Sequence, residues 1–312
     1  MFTKRFRRQA LAAAALASSI LPASAAHWAL TGDVGVHDPS ILKEGDRWFT
    51  FSTGEGLQVL AGDSTGRNWT RAPRIFLSPP SWWKTYVPNQ KANDVWAPDA
   101  HQFNGKVWVY YSISTFGSNT SAIGLVSASK VSDGRWTDNG LVLRSTSAND
   151  YNAIDPNLVV DASGNPWLAF GSFWSGLKIV RINPSTMKPT GSHTSIAKRS
   201  GGIEAPSIVY NNGYYYLFAS IDKCCQGVNS TYKIIYGRSR SITGPYLDKS
   251  GRSLLSGGGT VFDAGNARWK GPGGQDVGHG VMARHAYDAT DNGAPKLLIS
   301  DLKWTSDGWP TY

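Results

Sequence analysis

The chain predicts an all-β protein, a five-bladed β-propeller, on three observations. The first is a repeated grammar in which a proline-marked strand, a polar turn and an aromatic strand follow in the same order. It reads Asp38-Pro39-Ser40-Ile41-Leu42, the turn Glu44-Gly45-Asp46, then Arg47-Trp48-Phe49-Thr50-Phe51. It returns as Trp96-Ala97-Pro98-Asp99-Ala100 before Asn104-Gly105 and Val107-Trp108-Val109-Tyr110-Tyr111, and as Asp155-Pro156-Asn157-Leu158-Val159-Val160 before Ser163-Gly164-Asn165 and Trp167-Leu168-Ala169-Phe170. A fourth copy is Ile203-Glu204-Ala205-Pro206-Ser207-Ile208, then Asn211-Asn212-Gly213 and Tyr214-Tyr215-Tyr216-Leu217-Phe218. The second observation is the spacing, since the marker prolines Pro39, Pro98, Pro156 and Pro206 lie 59, 58 and 50 residues apart. Periods of this size with turn-punctuated strands mark propeller blades. The third is composition, with Gly 34, Trp 13 and Tyr 13 and few helix-patterned segments. A degraded fifth copy is expected at His279-Gly280-Val281-Met282-Ala283, a loop at Asp291-Asn292-Gly293, and Lys296-Leu297-Leu298-Ile299-Ser300.

Lys4, Arg5, Arg7 and Arg8 precede an apolar run from Ala10 to Leu21, and Ala23-Ser24-Ala25 has the small residues of a cleavage site. The run is too short to span a bilayer and reads as a secretory signal over residues 1–25, so the protein is expected to be secreted. Residues 26–312 then form a single catalytic domain, since no linker or low-complexity segment divides them. Without the four leader cations, 27 basic residues face 22 acidic ones, a net +5 against +9 for the whole chain. The remaining charge is scattered, which argues against nucleic acid as a partner, and a monomer without membrane contact is expected. Cys224 and Cys225 are the only cysteines, and neighbours cannot staple distant parts of a fold. They read either as a rigid loop near the channel or as two small buried side chains.

The first strand of each propeller blade lines the central channel, so acids at its start converge from distant points in sequence. Asp38, Asp155 and Glu204 are expected to meet there. Any one of them alone is ordinarily a turn or cap residue. Three in repeat positions, with no nucleophile–histidine pairing, suit glycoside hydrolysis: one acid protonates the leaving oxygen and an ionised carboxylate activates water on the opposite face. Asp99 lies on the far side of its proline and is given a structural role.

The set His37-Asp38-Pro39-Ser40, Trp96-Ala97-Pro98-Asp99, Ala153-Ile154-Asp155-Pro156-Asn157, Gly171-Ser172-Phe173-Trp174-Ser175-Gly176, Ile203-Glu204-Ala205-Pro206-Ser207 and Lys223-Cys224-Cys225 resembles glycoside hydrolase family 43 over nearly the whole mature chain. Within that family the similarity is to members that cut α-1,5-linked L-arabinan. The resemblance implies an inverting hydrolase with Asp38 as general base, Glu204 as general acid and Asp155 tuning and orienting Glu204. Endo cleavage of arabinan to short oligosaccharides is expected. Trp96, Phe116, Phe173 and Trp174 are candidate sugar platforms, with His37, Asn157 and Ser172 as hydroxyl partners. Trp82 and Trp83 are candidates for a remote subsite. The family also implies a metal, commonly calcium, in the channel beneath the acids, held by a histidine and waters. His279 is the expected ligand and His285 the alternative; a hydrogen-bonded core histidine remains the competing reading, because hard cations prefer several oxygens.

Two other functions fit the same residues. One is an exo-acting arabinanase, or an arabinofuranosidase or β-xylosidase of the same family; the other is a secreted propeller that binds glycans without turnover.

Overall fold

The computed structural model describes residues 27–312, so the export signal expected over residues 1–25 lies outside the described residues. Five antiparallel sheets stand around one axis, and each innermost strand touches the innermost strands of both neighbouring blades in a closed cycle. From the axis outward, blade one is Ser40–Glu44, Arg47–Ser52, Gln58–Gly62 and Asn68–Ala72. Blade two is Asp94–Phe103, Lys106–Ile113, Ser121–Ala128 and Thr137–Ser145. Blade three is Asn157–Val160, Pro166–Phe170, Leu177–Ile182 and Pro189–Ala197. Blade four is Ile203–Asn211, Tyr214–Ile221, Lys233–Ser239 and Thr260–Asp263. Blade five has three strands of its own, Trp269–Gly278, Val281–Asp288 and Ala294–Asp301.

The start of the described chain closes the ring. Trp28 N–H donates to Ile299 O at 2.7 Å and Leu297 N–H to Val34 O at 2.8 Å, while Thr31–Gly32 pairs in parallel with Asn68 and Trp69 of blade one. The first and last blades are thereby stitched together by one segment.

The fifth copy expected from sequence is displaced by one strand. His279 and Gly280 form the turn between the first two strands of blade five, and Val281–Asp288 is its second strand rather than its first. The true inner strand, Trp269–Gly278, carries Gly271, Gly273 and Gly274 and shows no hydrophobic alternation. Those glycines answer to tertiary neighbours, since a Cβ on Gly273 would lie 2.0 Å from the Tyr232 ring and one on Gly274 2.2 Å from Asp38 Oδ1.

Each blade is apolar on both faces because each is sandwiched between two others. Five separate clusters result, one per interface. In the second strand of blade two, Val107, Val109 and Tyr111 pack toward blade one, while Trp108 and Tyr110 pack toward blade three. This is the period-two alternation of a strand with two buried sides. Trp83, in the five-residue helix Trp82–Tyr86, is buried in the interface of blades one and two and donates to Tyr111 Oη at 3.2 Å. It is core, not a subsite, and Trp82 Nε1 is bonded to Asp138 Oδ2 at 3.0 Å.

A ring of polar side chains sews the inner strands together, each bonding a backbone N–H of the next blade. Ser40 Oγ accepts from Ala100 N at 2.9 Å, Asp99 Oδ2 from Leu158 N at 2.7 Å, and Asn157 Oδ1 from Ile208 N at 2.9 Å. Ser207 Oγ accepts from Val277 N at 3.0 Å, and Asp276 Oδ2 from Ile41 N at 2.9 Å, which completes the circle. Each of these residues directly follows the repeat proline or, in blade five, Gln275. Asp99 is structural, as its position beyond the proline implied. Asn157 belongs to the same ring, with its Nδ2 donating to Asp99 Oδ1 at 2.9 Å, so both of its polar atoms are committed and it is no sugar partner.

Asn157→Ala is expected to leave Ile208 N–H and Asp99 Oδ1 buried without partners and to lower the unfolding free energy by about 2–4 kcal/mol, read from urea denaturation.

Candidate active site

The residue just before each ring member's proline, or before Gln275, has a left-handed backbone: Asp38 (φ 49), Ala97 (φ 37), Asp155 (φ 55), Ala205 (φ 49) and Gly274 (φ 53). Such conformations cost of order 1–3 kcal/mol for a non-glycine residue and persist only where surroundings enforce them. Here a side chain captures the N–H that the kink exposes. Ala97 N donates to Thr53 Oγ1 at 2.8 Å, Asp155 N to Ser112 Oγ at 3.0 Å, Gly274 N to Ser220 Oγ at 3.1 Å, and Asp38 N to His285 Nδ1 at 3.1 Å. Thr53, Ser112 and Ser220 lie at or near the end of the preceding blade's second strand, and His285 lies within the second strand of blade five. At the fifth position Ala205 N donates to Asp155 Oδ2 at 3.0 Å.

This alignment corrects one expectation. Asp38 and Asp155 are equivalent, but Glu204 stands one residue earlier, in the position of His37, Trp96 and Ile154. All three acids nonetheless line one cavity of about 840 Å³ at the mouth of the channel. His37, Trp96, Phe116, Ser172, Phe173 and Trp174 line it too. Asn157 and His279 do not. A second, small cavity of about 30 Å³ below includes Asn157 and the prolines of the repeats.

Asp38 Oδ2 is held by His37 Nδ1 at 2.8 Å and by Thr53 Oγ1 at 2.7 Å. Burial alone would raise its pKa, but attraction and hydrogen bonding from His37, then His285 and Thr53, hold it far below the usual carboxylate range. Glu204 differs in sign. Burial pushes its pKa up and repulsion from Asp38 adds to this, against opposing hydrogen bonds from Ser172 Oγ (2.6 Å) and Tyr232 Oη (2.7 Å). Asp155 is raised well above its ordinary value by burial, then by repulsion from Glu204 and Asp38. Neighbouring buried carboxyls of this kind share protons, so the Asp155–Glu204 pair retains one where Asp38 has lost its own.

The platforms come from loops. Phe116, between the second and third strands of blade two, is 83% exposed, a large apolar side chain held in water at a cavity wall. Phe173 (φ 54) and Trp174 (φ 38) are consecutive left-handed residues between the second and third strands of blade three. Gly171 and Gly176 bracket them because a Cβ there would lie 2.6 Å from Gly176 O and 2.2 Å from Ala197 O respectively. Ser172 and His37 are less free than sequence suggested. Ser172 serves Glu204, and both nitrogens of His37 are bonded, Nε2 to Tyr287 Oη at 2.8 Å.

His279 is not at the axis beneath the acids. It caps the turn of blade five, where Nε2 accepts from Lys43 N at 3.2 Å. His285, the alternative, is buried under Asp38, and its Nε2 is a buried polar atom without a partner. His37, Asp38 and His285 each offer a ligand atom within 4.8 Å of one another. Their donors are largely committed: with Nδ1 accepting the Asp38 N–H, the ring proton sits on Nε2. In the other tautomer, with the proton on Nδ1 turned to Asp38 Oδ1, 3.4 Å away, Nε2 has a lone pair and fits a cation whose other ligands are waters.

Sequence reasoning missed Tyr232, Thr53 and Tyr287. Thr53 carried a signal, since it follows an aromatic strand as Ser112 and Ser220 end theirs. Tyr232 carried none, because it reaches Glu204 only through the packing of a loop.

An ionised carboxylate beside a carboxyl pair that keeps a proton, in a cleft walled by aromatic rings at the end of a propeller, is the equipment of a glycoside hydrolase. The family model described as glycosyl hydrolases family 43 matches residues 32–310. The chain is 59% identical to the extracellular endo-α-(1→5)-L-arabinanase 1 of Bacillus subtilis, over 98% of this chain and 96% of that one. It is 41% identical to the extracellular exo-α-(1→5)-L-arabinofuranosidase ArbA of Cellvibrio japonicus, over 89% and 86%. The solved endo-arabinanase of Bacillus licheniformis superposes with a TM-score of 0.89 at 61% identity, covering 91% of this chain and all of that one. The chain belongs to glycosyl hydrolases family 43.

Tyr232→Phe and Ser172→Ala each remove a hydrogen bond that favours the ionised form of Glu204. Each is expected to move the Glu204 pKa further upward, followed by ¹³C NMR titration of the labelled carboxyl; a downward shift would contradict the arrangement.

Proposed function

We propose that the protein is a secreted, inverting endo-α-1,5-L-arabinanase that cuts internal bonds of linear arabinan. The observation that carries this reading is the opposite tuning of two carboxyl groups in one cavity. Asp38, held ionised by His37 and Thr53, takes a proton from a water attacking the anomeric carbon. Glu204, held protonated by burial and charge repulsion, gives its proton to the departing O5 of the next sugar. After one turnover Asp38 is protonated and Glu204 ionised, and exchange with solvent restores both. Asp155 repels a second negative charge at Glu204 and fixes the backbone after it through Ala205 N–H.

The cavity volume lies toward the upper end of the ~300–1,000 Å³ typical of small-molecule sites, room for several sugar units. Phe116, Phe173, Trp174 and Trp96 offer flat apolar faces to the C–H faces of furanose rings. The 59% identity to an endo-acting relative, against 41% to an exo-acting one, favours cleavage within the chain. The names of both relatives place them outside the cell, which agrees with the leader expected over residues 1–25. Activity as a monomer is part of the same proposal.

The test is a time course on linear 1,5-arabinan with products resolved by length. A ladder of oligosaccharides from the outset is expected; a single product size would mean exo action. Glu204→Ala is expected to lose roughly 10²–10⁴-fold in turnover on the polymer. Asp38→Ala should abolish turnover while arabino-oligosaccharide binding stays measurable by calorimetry. Near-wild-type rates in either variant would remove that residue from its role.

A channel cation, with calcium the expected ion, belongs to the same reading. His285 Nε2 would hold it together with waters, and its positive charge would favour ionised carboxylates above it. Calorimetry should detect calcium binding in protein stripped by chelator, accompanied by a rise in Tm, and His285→Ala should lose both. Binding unchanged in that variant would move the site elsewhere.

A further inference from the structure

We infer that the Cys224–Cys225 disulfide is a positioning element for Asp38, acting through Tyr287 and His37. The inference rests on the reading of Asp38 as the base. The two cysteines are bonded to each other in the loop between the second and third strands of blade four, on the wall of the cavity that Asp38 lines. Cys225 has a left-handed backbone, φ 65, which a residue with a side chain adopts only where it is held. In that conformation its N–H donates to Tyr287 Oη at 2.8 Å. Tyr287 Oη lies 2.8 Å from His37 Nε2, and His37 Nδ1 lies 2.8 Å from Asp38 Oδ2.

The two ends of this chain fix its directions. The Cys225 N–H can only donate, so the Tyr287 oxygen accepts there, and the ionised Asp38 can only accept, so His37 donates to it from Nδ1. Between them Tyr287 Oη gives its proton to His37 Nε2 while the ring is neutral and accepts from Nε2 when the ring is charged. His37 is further fixed by stacking on His285, with ring centroids 3.8 Å apart. Removing the first donor frees Tyr287 to rotate, loosens the orientation of the His37 ring, and with it the carboxylate that must meet the attacking water.

The other end of the loop reaches the acid. Lys223 O accepts from Thr231 N at 2.9 Å and Tyr232 N at 3.1 Å, and Tyr232 Oη is the donor to Glu204. One loop therefore orients partners of both carboxyl groups. Its own side chains give it little packing, since Lys223, Cys225, Gln226, Val228 and Asn229 are exposed. A covalent ring between neighbouring residues restricts the backbone where burial does not.

The experiment compares oxidised, phosphine-reduced and reoxidised protein, using kcat and KM on arabino-oligosaccharides. A water-soluble phosphine takes up the oxygen of one water as its oxide while the disulfide gains two electrons and two protons to become two thiols, checked by intact mass. Reduction is expected to lower kcat by about 10- to 100-fold, the scale of a misplaced catalytic group, with KM little changed and activity restored on reoxidation. The double variant Cys224→Ser/Cys225→Ser should behave as the reduced protein. Tyr287→Phe, with the disulfide intact, should show the same kcat loss by itself and add little to the double variant, since both break one chain of contacts. Unchanged kcat in Tyr287→Phe overturns the inference even if the reduced protein unfolds. A rise in KM at constant kcat on reduction also overturns it, and would make the sulfurs a sugar platform instead. Asp38→Asn is assayed alongside: wild-type turnover there defeats the reading of Asp38 as base, whereas an inactive Asp38→Asn beside a fully active reduced enzyme defeats only the positioning role.

Discussion

The structure depends on the ring of side-chain to backbone hydrogen bonds that joins each inner strand to the next. Inner strands of neighbouring blades do not pair as a sheet, so the N–H groups they present to one another would be buried without partners. Ser40, Asp99, Asn157, Ser207 and Asp276 supply one acceptor per interface and close the circle. An unpaired buried amide costs about 1–3 kcal/mol, so the circle is cheaper complete than broken. It also fixes how far each blade is rotated against the next, and therefore where the channel mouth lies.

The active site is built on the layer above. The left-handed residue in front of each ring member turns the inner strand, and its N–H is captured from the preceding blade. In blades two and four that residue is alanine and in blade five glycine, so three of the five positions carry no chemistry. In blades one and three it is aspartate. The same backbone strain that locks the ring thus presents Asp38 and Asp155 to the cavity on a rigid support, as preorganised catalysis requires. Glu204 comes from one residue earlier and depends on Ser172 and Tyr232 for its orientation.

Electrostatics then separates groups that sequence made alike. Asp38, Asp155 and Glu204 are all carboxyls at the head of inner strands, yet only Asp38 has an imidazole against it. That neighbour outweighs burial and keeps it charged, while burial and mutual repulsion keep a proton on the Asp155–Glu204 pair. Opposite proton affinities follow from environment rather than from residue type.

The proline-marked repeats, their period and the alternation within their strands determined a five-bladed propeller and the convergence of three acids. These were legible because each blade repeats one local pattern and because period-two burial on both faces leaves continuous apolar strands. Among the aromatic residues of the cavity, Trp96 was legible as the near neighbour of a repeat marker, whereas Phe116, Phe173 and Trp174 lie in loops beyond the second strands and stood out through the family resemblance. What only tertiary structure decided lies where a residue answers to a distant one. The glycine-rich inner strand of blade five is shaped by Tyr232 and Asp38, so it lost the hydrophobic signature and His279 stood in its place. Asn157 and Ser172 looked like sugar ligands until their partners in other blades were seen. The different proton affinities of Asp38 and Glu204 arise from contacts spanning as many as 247 residues, from Asp38 to His285, and no local pattern encodes a contact of that range.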